Sequence, residues 1–350
     1  MGREGEISLE ADSLVKFRQA SILEIESADK FLTSLADKIE ALERFSAPHP
    51  LSAAIAVASL KRFLVDDRCR IELHDLVMTE VDRQVEALSK LSVQVQPLPC
   101  EALLARLKRY ESSMEILLTL MTNGCYWGTS SQADLWVEVV SRILNISPPE
   151  SGTTILLNLR RYPACMLLYA GGVAATAAKK YEILRVLLKE SRTSIDISLE
   201  GKDDLLIRKL VPAIVLDPSA LNQCSGGQRY KTPSSDRLHS LLRDTLRPFL
   251  PNDLQYDDAF DRFEYLFAIV YLDAQDREGA VQWAPTGRFV WRNRFIGASG
   301  SHVSTVLLEE SKKDKSNWGP IKAGIFESAQ RFADVDQGFR EGVLSKVHPF

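Results

Sequence analysis

Along most of the chain, apolar residues return every three to four positions, and polar, proline-marked breaks separate the runs. This spacing predicts helices that bury one face. Over residues 17–45, Ile22, Ile25, Phe31, Leu32, Leu35, Ile39 and Leu42 mark one stripe. Glu24, Glu26, Lys30, Lys38 and Glu40 mark the solvent side, and Pro48 and Pro50 end the run. Further helices are predicted over 51–64 and 67–91. The segment SVQVQPLP, residues 92–99, alternates like extended chain and holds two prolines, which reads as a linker. A strong helix is predicted over 100–123, striped by Leu103, Leu107, Tyr110, Met114, Leu117 and Met121, with Gly124 as its left-handed C-terminal cap. Ser131 followed by Asp134 predicts the start of the next helix, which Pro148 and Pro149 close. Later helices are predicted over 236–249, 257–273, 301–315 and 320–346, the last weakened by Gly324, Gly338 and Gly342.

Two stretches break the helical period. IDISLE, residues 195–200, alternates as a short strand does, and residues 283–295 read as a turn followed by a strand. Residues 217–236 are rich in Gly, Ser, Pro and Asn and read as a loop. No repeat of fixed period is present. The predicted fold class is mainly α, a multi-helix domain with a small β-strand or hairpin insertion near 283–295. The predicted organisation is an N-terminal helical region over 1–91, a linker over 92–99 and a larger helical domain over 100–350.

One run stands apart. Between Arg160-Arg161 and Lys179-Lys180, seventeen residues, 162–178, carry no charge. A membrane-spanning helix needs about 20 mainly apolar residues, and this run is shorter and holds Gly171, Gly172, Thr176 and many alanines. Pro163 suits a first helical turn. Ala170, Ala174 and Ala178 are four apart, as are Gly171 and Ala175, so small residues line a ridge against which another helix can close. The run is predicted to be the central core helix. The glycine pair belongs to no phosphate-binding loop, since neither GxxxxGK[ST] nor a strand-linked GxGxxG is present.

Composition narrows the classes. The 350 residues are 45% hydrophobic and 26% charged, with a net charge of -4, an ordinary globular balance. That balance argues against whole-surface attraction to nucleic acid or anionic lipid. Cys69, Cys100, Cys125, Cys165 and Cys224 are scattered and odd in number, without a CxxC pair, so neither a disulfide scaffold nor a zinc module is expected. The expected compartment is the cytoplasm. The first residues lack the apolar core of a signal peptide.

Candidate chemistry concentrates in APTGRFVWRNRF, residues 284–295. As a strand from Arg288, it would set Phe289, Trp291, Asn293 and Phe295 on one face and Arg288, Val290, Arg292 and Arg294 on the other. Arginines without an intervening acid can grip phosphates, and neighbouring aromatics can stack on bases. The simpler reading packs the aromatic face on the helices and pairs the arginines with Asp257, Asp258, Asp261 and Glu264. The candidate partner- or nucleic-acid-binding residues are Arg288, Arg292, Arg294 and Trp291, with Arg229 and Lys231 in the polar loop 222–235. The acids of YDDAFDRFEYLFAIVYLD, residues 256–273, form no EF-hand loop. His74, His239 and His302 lie in no HExxH motif, no GxSxG elbow is present, and Cys165 sits in the apolar run as a small hydrophobe. No catalytic, cofactor-binding or metal-binding residue is assigned, and no cofactor is expected.

Three segments together, LRRYPACMLLYAGGVAATAAKKYEILRVLL, DAFDRFEYLFAIVYLD and APTGRFVWRNRF, resemble a helical region near the C-terminus of bacterial multidomain conflict proteins. There, similar segments follow an effector or NTPase domain of varying type, sirtuin-like among them. The likeness covers residues 100–350 and lies in short phrases rather than in a catalytic motif. It implies a sensing or interaction role in antiviral defence, with the chemistry carried elsewhere. Residues 1–91 are too short and too helical for such an effector. The leading expectation is a non-enzymatic sensor or interaction subunit of a bacterial defence assembly that binds a protein partner, with no membrane contact and with homo-oligomerisation left open. The alternatives are a nucleic-acid-binding protein using the arginine-rich strand and an enzyme of unrecognised type.

Overall fold

The computed structural model describes residues 53–90, 100–146, 154–189, 205–214, 221–222, 230–277, 283–291 and 303–346. All belong to one compact unit, Ser52–Phe350. The helices expected over 17–45, the linker over 92–99 and the strand over 195–200 lie outside the described residues.

The described chain is mainly α. Its helices are α1 (Ala53–Leu64), α2 (Arg70–Ser89), α3 (Cys100–Ser113), α4 (Glu115–Trp127), α5 (Ala133–Leu144), α6 (Thr154–Leu159) and α7 (Tyr162–Ala177). Then come α8 (Tyr181–Lys189), α9 (Leu206–Ile214), α10 (Pro233–Leu246), α11 (Asp253–Arg277), α12 (Val303–Asp314), α13 (Gly319–Lys322) and α14 (Ala329–Gly342). No strand occurs among the described residues, and none of their helices is long and apolar enough to cross a membrane.

The uncharged run is the centre of the fold. Every residue of α7 from Tyr162 to Thr176 is buried, and α4, α5, α8, α9, α10 and α11 all pack on it. Two adjacent glycines allow this crowding. A Cβ on Gly171 would meet the Met121 and Cys125 side chains of α4, and one on Gly172 would lie 2.0 Å from the Phe263 ring of α11. Burial on all sides explains why α7 needs no polar face.

Local details depart from the sequence reading where tertiary packing outweighs local signals. Gly124 is not a cap: α4 runs on to Trp127, and a Cβ at Gly124 would lie 1.8 Å from the Trp136 ring. That glycine serves close helix packing instead. The capping box lies at Thr129 and Gln132 rather than at Ser131 and Asp134, with Thr129 N–H donating to Gln132 Oε1 at 3.0 Å. The helix expected over 320–346 is two helices, broken where Gly324 takes φ 79°. Helices on either side of residues 92–99 share a core, since α1 packs on α4 and α2 on α5.

Buried polar groups tie the C-terminal helices to the centre. Asp336 of α14, fully buried, accepts from Tyr265 Oη of α11 and from Ser304 Oγ of α12 at 2.6 Å, and forms an ion pair with Arg340 at 2.7 Å. Asp273 of α11 pairs with Arg331 of α14 at 2.7 Å. Glu111 of α3 accepts from Arg237 at 2.6 and 2.8 Å and from Tyr162 Oη at 2.9 Å. Paired and hydrogen-bonded in this way, these charges tolerate burial.

Candidate functional site

The arginine-rich segment is not a strand where the structure describes it. Residues 283–287 have no regular secondary structure, and residues 288–291 close a helical turn. Val290 N–H donates to Gly287 O at 3.2 Å and Trp291 N–H to Arg288 O at 3.0 Å. Phe289 and Val290 are both buried, whereas a strand with one solvent-facing side would expose one of them. The physical reason is backbone satisfaction. With no strand among the described residues to pair with, the turn and a side chain supply the hydrogen bonds. Arg288 N–H donates to Ser235 Oγ at 3.0 Å. Phe289 meets Tyr265 edge-on at 5.7 Å and leans on Phe339 at 6.2 Å.

Of the candidate residues, Arg288 is 18% exposed, and its Nη1 donates to Asp257 Oδ1 at 3.0 Å. Trp291 is half-buried, and the exposed Lys231 places its ammonium 5.6 Å from the Trp291 ring. Arg229, Arg292 and Arg294 lie outside the described residues. The two ends of the polar loop are clasped: Asn222 Nδ2 donates to Tyr230 O and Tyr230 N–H to Asn222 Oδ1, both at 2.9 Å.

Behind the turn lies a polar cluster built from α7, α10 and α11. Ser235 Oγ donates to Glu264 Oε1 at 2.6 Å, and Tyr169 Oη donates to the same oxygen at 3.1 Å. Burial pushes the Glu264 carboxyl up to about 8, with the buried Asp261 adding to the shift, so it keeps its proton at neutral pH. His239 Nε2 lies 2.7 Å from Asp257 Oδ1, and burial holds this imidazole below the ordinary histidine range. Serine, histidine and two carboxyl groups thus sit close together, yet they form no nucleophile relay. Ser235 gives its proton to Glu264 rather than to His239, and at 2% exposure it is closed to substrate. The cluster instead holds the 284–291 turn against the helices. Burial likewise raises the Cys125 and Cys165 thiols well above the ordinary range. Among the described residues no group of three or more His, Cys, Asp or Glu could hold a metal ion.

A cleft of about 770 Å³ lies on the surface of the described residues. The C-terminal end of α7, Thr176 and Ala177, lines it together with Ala259 of α11. One end is apolar: Tyr126, Phe249 and Leu250 line it, with the Tyr126 and Phe249 rings 4.5 Å apart. Trp127, 55% exposed, meets Tyr126 at 4.8 Å and Phe249 at 6.2 Å and extends this end outward. The lining also carries charge. Arg262 donates through Nε to Asp258 Oδ2 at 2.8 Å and through Nη1 to both oxygens of Glu310 at 2.8 and 3.1 Å. Asp314, Gln255 and Lys179 complete the polar lining, with Tyr181 beside them. Burial raises the Tyr181 phenol above its usual value, so it remains a donor.

The end of α7 shapes this lining. Lys180 N–H donates to Ala175 O at 2.8 Å and Lys179 N–H to Thr176 O at 3.1 Å, and Lys179 takes φ 55°. These are the two bonds of a Schellman cap with lysine in the left-handed position. Sequence reasoning passed over the cleft. Its residues come from α4, α7, α8, α11, α12 and α13 and from the segments that follow α7 and α10, and no periodicity joins them. The local signal that could have pointed there is the pair Tyr126-Trp127 directly before Gly128, apolar bulk at a helix end.

No protein-family model, no curated protein and no solved structure matches the chain.

Proposed function

We propose that the chain is a non-enzymatic interaction subunit whose partner is a protein. The observation that carries this reading is the exposed aromatic edge of the cleft. Trp127 stands 55% exposed on the Tyr126 and Phe249 rings, and Leu254, 71% exposed, lies one helical turn before the cleft-lining Asp258. Exposed tryptophan and tyrosine beside a pocket are the residues that most often dominate the energy of protein interfaces. The polar clusters support the same reading, because their hydrogen bonds are spent on holding helices together. The setting in bacterial defence rests on the three segments that resemble conflict proteins. The nucleic-acid alternative is weaker, since Arg288 spends its charge on Asp257.

The test is affinity purification from the native host with wild type and Trp127→Ala, both first shown to be folded by circular dichroism. A protein that co-purifies with wild type and is lost from the variant supports the reading. Recovery of the same proteins with both, or of none with either, overturns it.

A further inference from the structure

Among the described residues, the non-glycine residues with positive φ are Lys179 (φ 55°) and Lys315 (φ 49°). One lines the cleft, and the other is adjacent in sequence to a residue that does: Lys179 is the lining residue, and Lys315 directly follows the lining residue Asp314 and precedes the lining residue Trp318 by three positions. The left-handed backbone is a conformation in which glycine is favoured and L side chains are strained. Glycine at position 179 would make the same two capping bonds as lysine does. What lysine adds is an ammonium at the cleft. Backbone strain kept at a concave site points to a role for the side chain that bears it.

The charges around the cleft show what that ammonium faces. Arg262 is held by Asp258 and Glu310. Neither Lys179 nor Lys315 makes an ion pair among the described residues, and Asp314 is the lining acid likewise without one. The Tyr181 hydroxyl makes no hydrogen bond among the described residues and so has a proton to donate. The lining also offers the tilted Tyr126 and Phe249 rings and Leu250. The volume, about 770 Å³, falls in the range of small-molecule sites.

We propose that this cleft binds a small organic anion carrying an aromatic ring. The ring lies at the Tyr126–Phe249 end, and the acidic group meets the Lys179 ammonium and the Tyr181 hydroxyl. A charge-assisted bond of this kind is stronger than a neutral one. A nucleoside monophosphate and an aryl carboxylate share this chemistry. The ligand site needs Lys179 and Tyr181, whereas the partner surface needs Trp127, so the two readings fail separately.

The test is a fluorescence titration with 8-anilinonaphthalene-1-sulfonate, an aromatic anion, on wild type and Lys179→Gly. Glycine relieves the left-handed backbone, so the variant is expected to melt at or above the wild-type temperature while binding the probe on the order of tenfold more weakly. Tyr181→Phe is a second variant, expected to weaken binding with the fold intact. The neutral N-phenyl-1-naphthylamine is expected to bind weakly and equally to wild type and to Lys179→Gly. Displacement of the probe by adenosine monophosphate assigns the acid as a phosphate, and displacement by 1-naphthoate assigns it as a carboxylate. Unchanged sulfonate binding in Lys179→Gly, a neutral probe that binds wild type as tightly as the sulfonate, or displacement by neither competitor overturns the proposal.

Discussion

Glu264 shows how a single residue can be read in two ways. On the sequence it is one of several acids that could answer an arginine. In the fold it is 3% exposed, receives two hydroxyl donors and lies against Gly287, where a Cβ would come within 2.1 Å of its Oε2. Its carboxyl rises from the ordinary 4.5 to about 8, chiefly through burial. A raised folded value means that the native state holds the proton longer than the unfolded chain. The stability it contributes is full below about pH 4.5 and is lost as pH rises through about 8. Glu264→Gln keeps an acceptor for Ser235 and Tyr169 but cannot ionise. Wild type is expected to lose stability on the order of a few kcal/mol between pH 5 and pH 8, and the variant to lose much less. Urea unfolding across that range measures the difference, and parallel curves for the two proteins would refute the assignment. His239 acts in the opposite direction: its lowered value contributes stability above the ordinary histidine range that is lost as pH falls.

At the scale of the element, α7 was legible in outline and only partly in detail. Length, an uncharged composition and a small-residue ridge announced a buried helix. Which glycine admits which neighbour depends on contacts made across the core. Gly172 faces the rigid Phe263 ring, whereas Gly171 faces the end of the flexible Met121 side chain at 2.5 Å and Cys125 Sγ at 3.0 Å. Alanine favours a helix interior over glycine by about 1 kcal/mol. At Gly172 a misplaced ring should outweigh that gain, so Gly172→Ala is expected to destabilise by about 1–3 kcal/mol. At Gly171 the methionine can rotate away, so Gly171→Ala is expected to cost clearly less. Denaturant midpoints of both variants check the order, and a reversed order would show that the ring yields more readily than the methionine. The 284–291 segment fails as a strand for an element-scale reason too. Its alternation of apolar and basic residues was real, but a strand exists only if another strand pairs with it.

At the scale of the molecule, the helices before residue 92 and those after residue 99 build one core. Leu60, Leu64, Leu73, Val77 and Val81 are buried, and α1 and α2 cover α4 and α5. A chain of residues 100–350 would therefore expose the apolar faces of those helices. It is expected to aggregate or to lose cooperative unfolding, whereas residues 52–350 are expected to unfold in one transition. Scattering and a denaturant curve distinguish the outcomes, and a well-behaved, cooperative 100–350 fragment would show that the core closes without α1 and α2. The cleft belongs to this scale as well, since its walls are assembled from helices up to about 190 positions apart in the chain, Tyr126 to Gly319.

By itself the sequence determined the helical class, the places of most helices and the burial of residues 162–176. Periodicity and composition are properties of neighbouring positions, and a 3.6-residue repeat dictates both the helix and its buried side. Only the tertiary structure decided that Gly124 packs rather than caps, that Arg288 answers Asp257 while its backbone amide answers Ser235, that burial raises the Glu264 carboxyl, and that Lys179 lines the same cleft as Tyr126 and Phe249. Each of these depends on groups far apart in the chain being brought within a few ångströms, where steric contact, desolvation and hydrogen bonding act and sequence spacing carries no signal.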